Sequence, residues 1–186
     1  MVSGAGCRSK RGGPLSGPGP WLSGALGSSV EGMLDLAEKR ARALLGRWQT
    51  RPLGVVRAAA AAEFARAAGE SAPRLVDPAH PAFVVHPMYV VSVLRPEPGA
   101  DVGELRPDGM YRDEVPGTDG LDVRLMAGGQ EVRWADDVRV GDRVEVQRAL
   151  TAVERKRADL LLLTVDKKYF AERGLLVEVT ERFIVR

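Results

Sequence analysis

Cysteine is nearly missing from this 186-residue sequence, with Cys7 the single example. That excludes an internal disulfide framework and any zinc site built on cysteine. Cys7 itself lies in a Gly/Pro/Ser tail, where an incidental thiol outweighs a nucleophile. Histidine is almost as scarce: there are two, His80 and His86. No other ligands stand at useful spacing to them, so no metal site is expected, and no cofactor either. The formal charge of +2 is small and spread out, which argues against nucleic acid. The basic stretch Glu154-Arg155-Lys156-Arg157 reads as a solvated turn, since no aromatic stacking pair accompanies it. No apolar run approaches the length of a bilayer span, so no membrane partner is expected. A reducing cytoplasm fits these absences.

What is present is ordinary for a soluble globular domain, 45 % apolar and 28 % charged, with chain enough for one core. Residues 1–32 are dominated by Gly, Pro and Ser without a periodicity that could bury a face, and they are expected to be a disordered tail. Arg8, Lys10 and Arg11 resemble the start of a signal peptide, but Pro14, Pro18 and Pro20 break the apolar core that should follow, which rejects export. Met33 is then the expected natural start of a single domain, 33–186. A mass spectrum of the native protein containing a peptide from residues 1–32 would count against that start.

Residues 34–45 are expected to form an amphipathic helix on the stripe Leu34, Ala37, Ala41, Leu44 and Leu45. Asp35–Lys39 and Glu38–Arg42 are favourable i,i+4 pairs, and Gly46 is a C-cap. Pro52 inside 47–56 suits an irregular or edge strand. Residues 57–68 are an Ala-rich helix that can approach its neighbours closely, ending at Gly69. The prolines make 69–82 a loop. Pro87 opens a short apolar helix over 88–94. Residues 95–120 read as a long loop or lid. Strand character resumes at 121–134, with a bulge or close ligand approach at Gly128-Gly129.

The last quarter is the plainest. Three strands, 143–153, 160–170 and 175–185, form an antiparallel meander with turns at 157–159 and 172–174. In the last, Leu175, Val177, Val179, Phe183 and Val185 share one face, opposite Glu178, Thr180 and Arg182. Helices followed by antiparallel strands give an α+β class.

Several of these residues together resemble the MaoC-like hydratase/dehydratase N-terminal domain, related to the fatty-acid-synthase-like dehydratases. They are Leu45-Gly46-Arg47, Ala68-Gly69, the His86-Pro87 turn, Ala127-Gly128-Gly129 with Trp134, Gly141-Asp142-Arg143-Val144, Val153-Glu154-Arg155-Lys156 and Ile184-Val185-Arg186. The resemblance covers 33–186 apart from the loop 95–120. It implies a hot dog fold, in which a curved antiparallel sheet wraps a central helix, here 57–68. It also implies that hot dogs work in pairs, fused or as separate subunits, with an acyl-thioester in a tunnel between them.

Hydrating an unsaturated thioester needs a base for water, an acid for the α-carbon and a donor for the thioester oxygen. Catalytic members of the family carry Gly-Asp-x-Asn-Pro-aliphatic-His after the helix. Here the stretch is Gly69-Glu70-Ser71-Ala72-Pro73-Arg74-Leu75. Glu70 replaces the aspartate, Ala72 the asparagine and Leu75 the histidine, and leucine cannot move a proton. The chain also ends at Arg186, where fused relatives continue into a second hot dog. The expectation is a non-catalytic, substrate-shaping half of a two-component enoyl-thioester hydratase or 3-hydroxyacyl-thioester dehydratase. Its partner would be a catalytic MaoC-like subunit, and its substrate an acyl-thioester of coenzyme A or of a carrier protein. Glu70 and His86 are the weak catalytic candidates, and His80 is a loop histidine. Phe83, His86, Met88, Tyr89, Gly128, Gly129 and Trp134 are the substrate-binding candidates, with core packing the alternative for each. A rival reading is a self-dimeric acyl-thioesterase using Glu63 or Glu70; another is an acyl-CoA-binding module without catalysis.

Overall fold

The computed structural model describes residues 30–92, 102–107 and 109–186. The expected tail up to residue 29, residues 93–94 of the short helix and all of 95–101 lie outside the described residues.

Helix α1, Val30–Leu44, begins one turn earlier than the stripe implies, so residues 30–32 belong to it rather than to the tail. Leu34, Ala37 and Ala41 of the stripe are fully buried, whereas Leu45 is largely exposed beyond the helix end. Arg42 pairs with Glu38 at 2.7 Å as its spacing demands, but Asp35 turns to Arg155 of the sheet at 3.2 Å instead of to Lys39. Gly46 takes φ of 72°, and its N–H donates to the Leu150 carbonyl at 2.8 Å, stopping the helix against the sheet.

Strand β1, Gln49–Val55, leads into helix α2, Ala58–Ala67, which buries Ala61, Ala62 and Ala65. Helix α3, Pro73–Val76, is a single turn inside the stretch expected to be loop. The correction has a simple cause: Pro73 stands at the first helical position, where its ring favours helix and its missing N–H is not needed. Helix α4, Tyr89–Ser92, follows the His86-Pro87 turn. Strands β2, Leu125–Trp134, β3, Arg143–Arg157, β4, Leu160–Ala171, and β5, Gly174–Val185, complete the chain.

The five strands are ordered β1-β3-β4-β5-β2, with every neighbouring pair antiparallel. Pro52 is tolerated because β1 is an edge strand, with an irregularity between Pro52 and Gly54. In β2 the extra residue is Gly128, where a Cβ would stand 3.1 Å from the Arg182 carbonyl oxygen; the strands approach too closely there for a side chain. A second bulge, opposite Tyr169 and Phe170, corrects the inward face of β5. The extra residue advances the alternation by one, so Leu176 and not Leu175 enters the core beside Val177.

The described part of 95–120 is not a lid. Val115 and Thr118 are buried, and Gly117, at φ of 86°, lies against α1, where a Cβ would come within 2.7 Å of the Ala41 nitrogen. That segment is part of the core.

One face of the sheet carries two apolar clusters. The first joins Ala61 of α2 and Val90 of α4 to Val144, Val146, Tyr169, Leu176, Val177 and Val179. The second joins Leu34, Ala37 and Ala41 of α1, with Val115 and Val123, to Leu150, Leu161, Leu163, Val165, Phe183 and Val185. The Ala-rich helix therefore serves one end of the sheet, and α1 serves the other. Between them, each strand presents a polar side chain in the inward phase: Gln49, Arg148, Lys167, Glu181 and Gln130, in sheet order.

Candidate functional site

Around the end of α2 the fold brings together the two weak catalytic candidates. Gly69, with φ of 86°, closes the helix, and the Glu70 N–H donates back to the Ala65 carbonyl at 3.0 Å. This turn points Glu70 at the segment before α4, where His86 Nε2 lies 3.7 Å from Glu70 Oε1. His86 Nδ1 accepts the Met88 N–H at 3.1 Å. The acceptor nitrogen is thus Nδ1, and a neutral imidazole carries its hydrogen on Nε2, toward Glu70. Phe64 packs edge-on to the imidazole, centroids 5.3 Å apart, and to Tyr89 at 5.8 Å. The imidazole is mostly buried while the Glu70 carboxylate is partly exposed. At 3.7 Å the two form no hydrogen bond, so Nδ1 is held by the backbone while Nε2 stands beside the carboxylate. Burial pushes the Tyr89 phenol up, with the Arg57 charge opposing, so Tyr89 is a hydrogen-bonding group and not a base.

The remaining sequence candidates scatter. Phe83 packs half-buried against the cluster under α2, and Tyr89 is inside it. Met88 is half-buried, and Trp134 stands opposite Val177, half-exposed. Gly128 and Gly129 lie toward the other end of β2, roughly 17 Å along the strand from Trp134 at ~3.4 Å per residue. They do not join Phe83, His86 and Tyr89 in one place. Glu63 is exposed on α2. His80 is held in its own turn, with Nδ1 accepting the Ala82 N–H at 3.1 Å.

A second polar region was missed from the sequence. Lys167 Nζ lies 2.6 Å from Glu114 Oε1 and 2.7 Å from Glu181 Oε2, the latter an ion pair without hydrogen-bond alignment. Gln130 Nε2 donates to Glu181 Oε1 at 3.0 Å. Burial alone would lower the Lys167 pKa, but Glu114 and Glu181 outweigh it, and the ammonium is held above the ordinary lysine range. It is a fixed cation, unsuited to act as a nucleophile. Arg148 is 9 % exposed, and its NH2 donates to the Asp113 and Glu114 carbonyls, each at 2.9 Å. Asp113 pairs with Arg51 and stands 3.8 Å from Arg148 NH1. Burial would raise the Asp113 pKa; the Arg51 hydrogen bond, with the charges of Arg51 and Arg148, outweighs it and holds the carboxyl below its usual range. The signal was in the sequence: Arg148, Lys167 and Glu181 fall in the apolar phase of three successive strands, where charge needs a partner.

Beside this row is a cavity of about 220 Å³ between the end of α1, the segment 112–119 and strands β1 and β3. Among the described residues no group of His, Cys, Asp and Glu could hold a metal ion, and no helix is long and apolar enough to cross a membrane.

Comparison with known proteins places this geometry. A profile of the FAS1-like, dehydratase domain region matches residues 43–179. No curated protein is significantly similar in sequence. Among solved structures, the ChsH1-ChsH2 complex from Mycobacterium tuberculosis is similar with a TM-score of 0.57 at 15 % identity, over 83 % of this chain and 91 % of that one. A MaoC-like dehydratase from Phytophthora capsici reaches 0.61 at 15 % identity, over 78 % of this chain but 50 % of that one. An (R)-hydratase from A. caviae involved in PHA biosynthesis gives 0.52 at 21 % identity, over 75 % and 94 %. These likenesses carry the fold: an α+β hot dog, with its five-stranded antiparallel sheet packed by helices on one face. With most of its length matched by that profile, the chain belongs to the FAS1-like, dehydratase domain region family.

Proposed function

We propose that this chain is the substrate-shaping subunit of an enoyl-thioester hydratase or 3-hydroxyacyl-thioester dehydratase, with a partner hot dog supplying the acid–base pair. The observation that carries the reading is Leu75, at the position after α3's proline where the catalytic signature has histidine. Neither histidine stands in its place: His80 is turned into its own loop, and His86 Nδ1 accepts the Met88 N–H while its Nε2 stands 3.7 Å from Glu70. Support for a partner comes from two relatives. One is a complex of two named components, and the other is a protein of which this chain spans half. The cluster of Phe83, His86, Met88 and Tyr89 would border the acyl-thioester, carried by coenzyme A or a carrier protein in the cytoplasm, and the subunit itself needs no cofactor.

The test is co-expression with a chain bearing the Gly-Asp-x-Asn-Pro-aliphatic-His signature. A stable heteromer that hydrates enoyl-CoA, with this chain inert alone, is the expected result. Full activity of the signature-bearing chain by itself would refute the partnership.

The 3.7 Å approach of His86 to Glu70 favours one second reading, a self-dimeric thioesterase in which His86 orients Glu70 as the base. Hydrolysis of acyl-CoA by the purified chain, lost in Glu70→Ala, would establish it in place of the first.

A further inference from the structure

We infer that the cavity of about 220 Å³ beside the charged row is a binding site for a compact oxyanion, a phosphate monoester or short-chain carboxylate. Arg148 lines the cavity, is more than nine-tenths buried, and donates only through NH2; among the described residues its Nε and NH1 make no hydrogen bond. This guanidinium is fixed by two backbone carbonyls, its NH1 is held only by a 3.8 Å ion pair to Asp113, and its Nε remains to donate into the cavity. Arg47 and Gln49 line the same cavity, and among the described residues neither side chain has a hydrogen-bond or ion-pair partner. Gln49 is the strand neighbour of Arg148, so the sheet register itself brings amide and guanidinium side by side.

The charge balance points the same way. Arg47, Arg112 and Arg148 line the cavity against Asp113 and Asp119. Asp113 is shared between Arg51 and Arg148, and Asp119 stands 4.0 Å from Arg112, which leaves Arg47 without a carboxylate among the described residues. A planar or tetrahedral oxyanion meets two guanidiniums and an amide well, and a neutral or cationic ligand does not. The other wall is Leu44, Val115 and Leu150, which suits a short apolar stem behind the charged head. At this volume a phosphate or a carboxylate of a few carbons fits, and a nucleotide does not.

Calorimetric titration of the full chain with inorganic phosphate, and separately with butyrate, at low salt tests this. Saturable binding of either is expected, weakened about tenfold or more by Arg47→Ala and by Gln49→Leu. Both positions are exposed, so those variants keep the fold while Arg148→Leu need not. Binding of phosphate only assigns a phosphate monoester; binding of butyrate only assigns a carboxylate. No saturable heat from either up to about 10 mM, or equal affinities in Arg47→Ala and wild type, overturns the site.

Discussion

The two ends of the sheet's covered face are built from the same strands yet handle polar groups in opposite ways. Under α2 and α4 the interior holds apolar side chains and two tyrosines, and the ionisable pair Glu70–His86 is kept at the rim. Under α1 the apolar cluster is bordered by cations taken out of water, Arg148 and Lys167, each fixed by the segment 113–114. A buried pair is locked in charge and fixes geometry, here tying a long connection to the middle of the sheet. The difference separates an ionisable pair left partly open to solvent from charges fixed inside the sheet.

The contrast is broken most severely at Lys167. Lys167→Met leaves Glu114 and Glu181 without their cation, and a loss of about 3–5 kcal/mol in urea unfolding is expected. Adding Glu114→Gln and Glu181→Gln should recover most of it, because the isolated charges are then gone. A triple variant as unstable as the single one would mean that the row contributes through packing and not through charge.

Whether the two halves are one cooperative unit is open to a matched pair of cavity variants. Leu176→Ala in the cluster under α2 and Leu163→Ala in the cluster under α1 should each cost about 3 kcal/mol. Both should shift a single unfolding transition, since β4 and β5 run through both halves. Two separated transitions in calorimetry would show that the charged row divides the domain thermodynamically as well as spatially.

The smallest effect is expected at the half-exposed end of the row. Asp113→Asn should cost only about 0.5 kcal/mol at neutral pH, because solvent screens the Arg51 pair. Its sign with pH is definite. The folded carboxyl titrates below its unfolded value, so its contribution is present above the ordinary carboxylate range and fades as pH falls through the depressed value. Wild type and Asp113→Asn should therefore converge in acid. Lys167 runs the other way: its raised pKa gives stability present below the ordinary lysine value and lost as pH rises through the raised one. A wild-type decline in strong alkali that is absent in Lys167→Met is the matching observation.

How legible the fold was depended on whether a signal was local. The meander was readable because alternation needs only neighbours in sequence, and β4 and β5 fall within a residue of where the period puts them. Strand β3 runs on to Arg157 through the stretch 154–157 expected to be a turn, held by pairing with β4. The bulge at Gly128 was readable from two adjacent glycines. Leu176 was not, because its bulge is set by the partner strand. The single turn at Pro73 was hidden by reading proline as a breaker when it stood at a helix start. The candidate site was half legible. The substitution at Leu75 is visible in the sequence, but the approach of Glu70 to His86, sixteen positions apart, depends on how the chain returns from α3.

By itself the sequence determined most of the element types, the α+β class and the leucine at position 75, since each is set by side-chain identity and short-range spacing. Only the tertiary structure decided which charges are buried and what they meet. Arg148, Lys167 and Glu181 stand in the inward phase of their strands, but only the register sets Arg148 opposite Lys167 and Glu181 diagonal to that lysine. Asp113 and Glu114 are anonymous loop acids until the segment carrying them lies across it. Electrostatic partnership in a protein interior is a matter of distance and desolvation, and neither is written in any one stretch of chain.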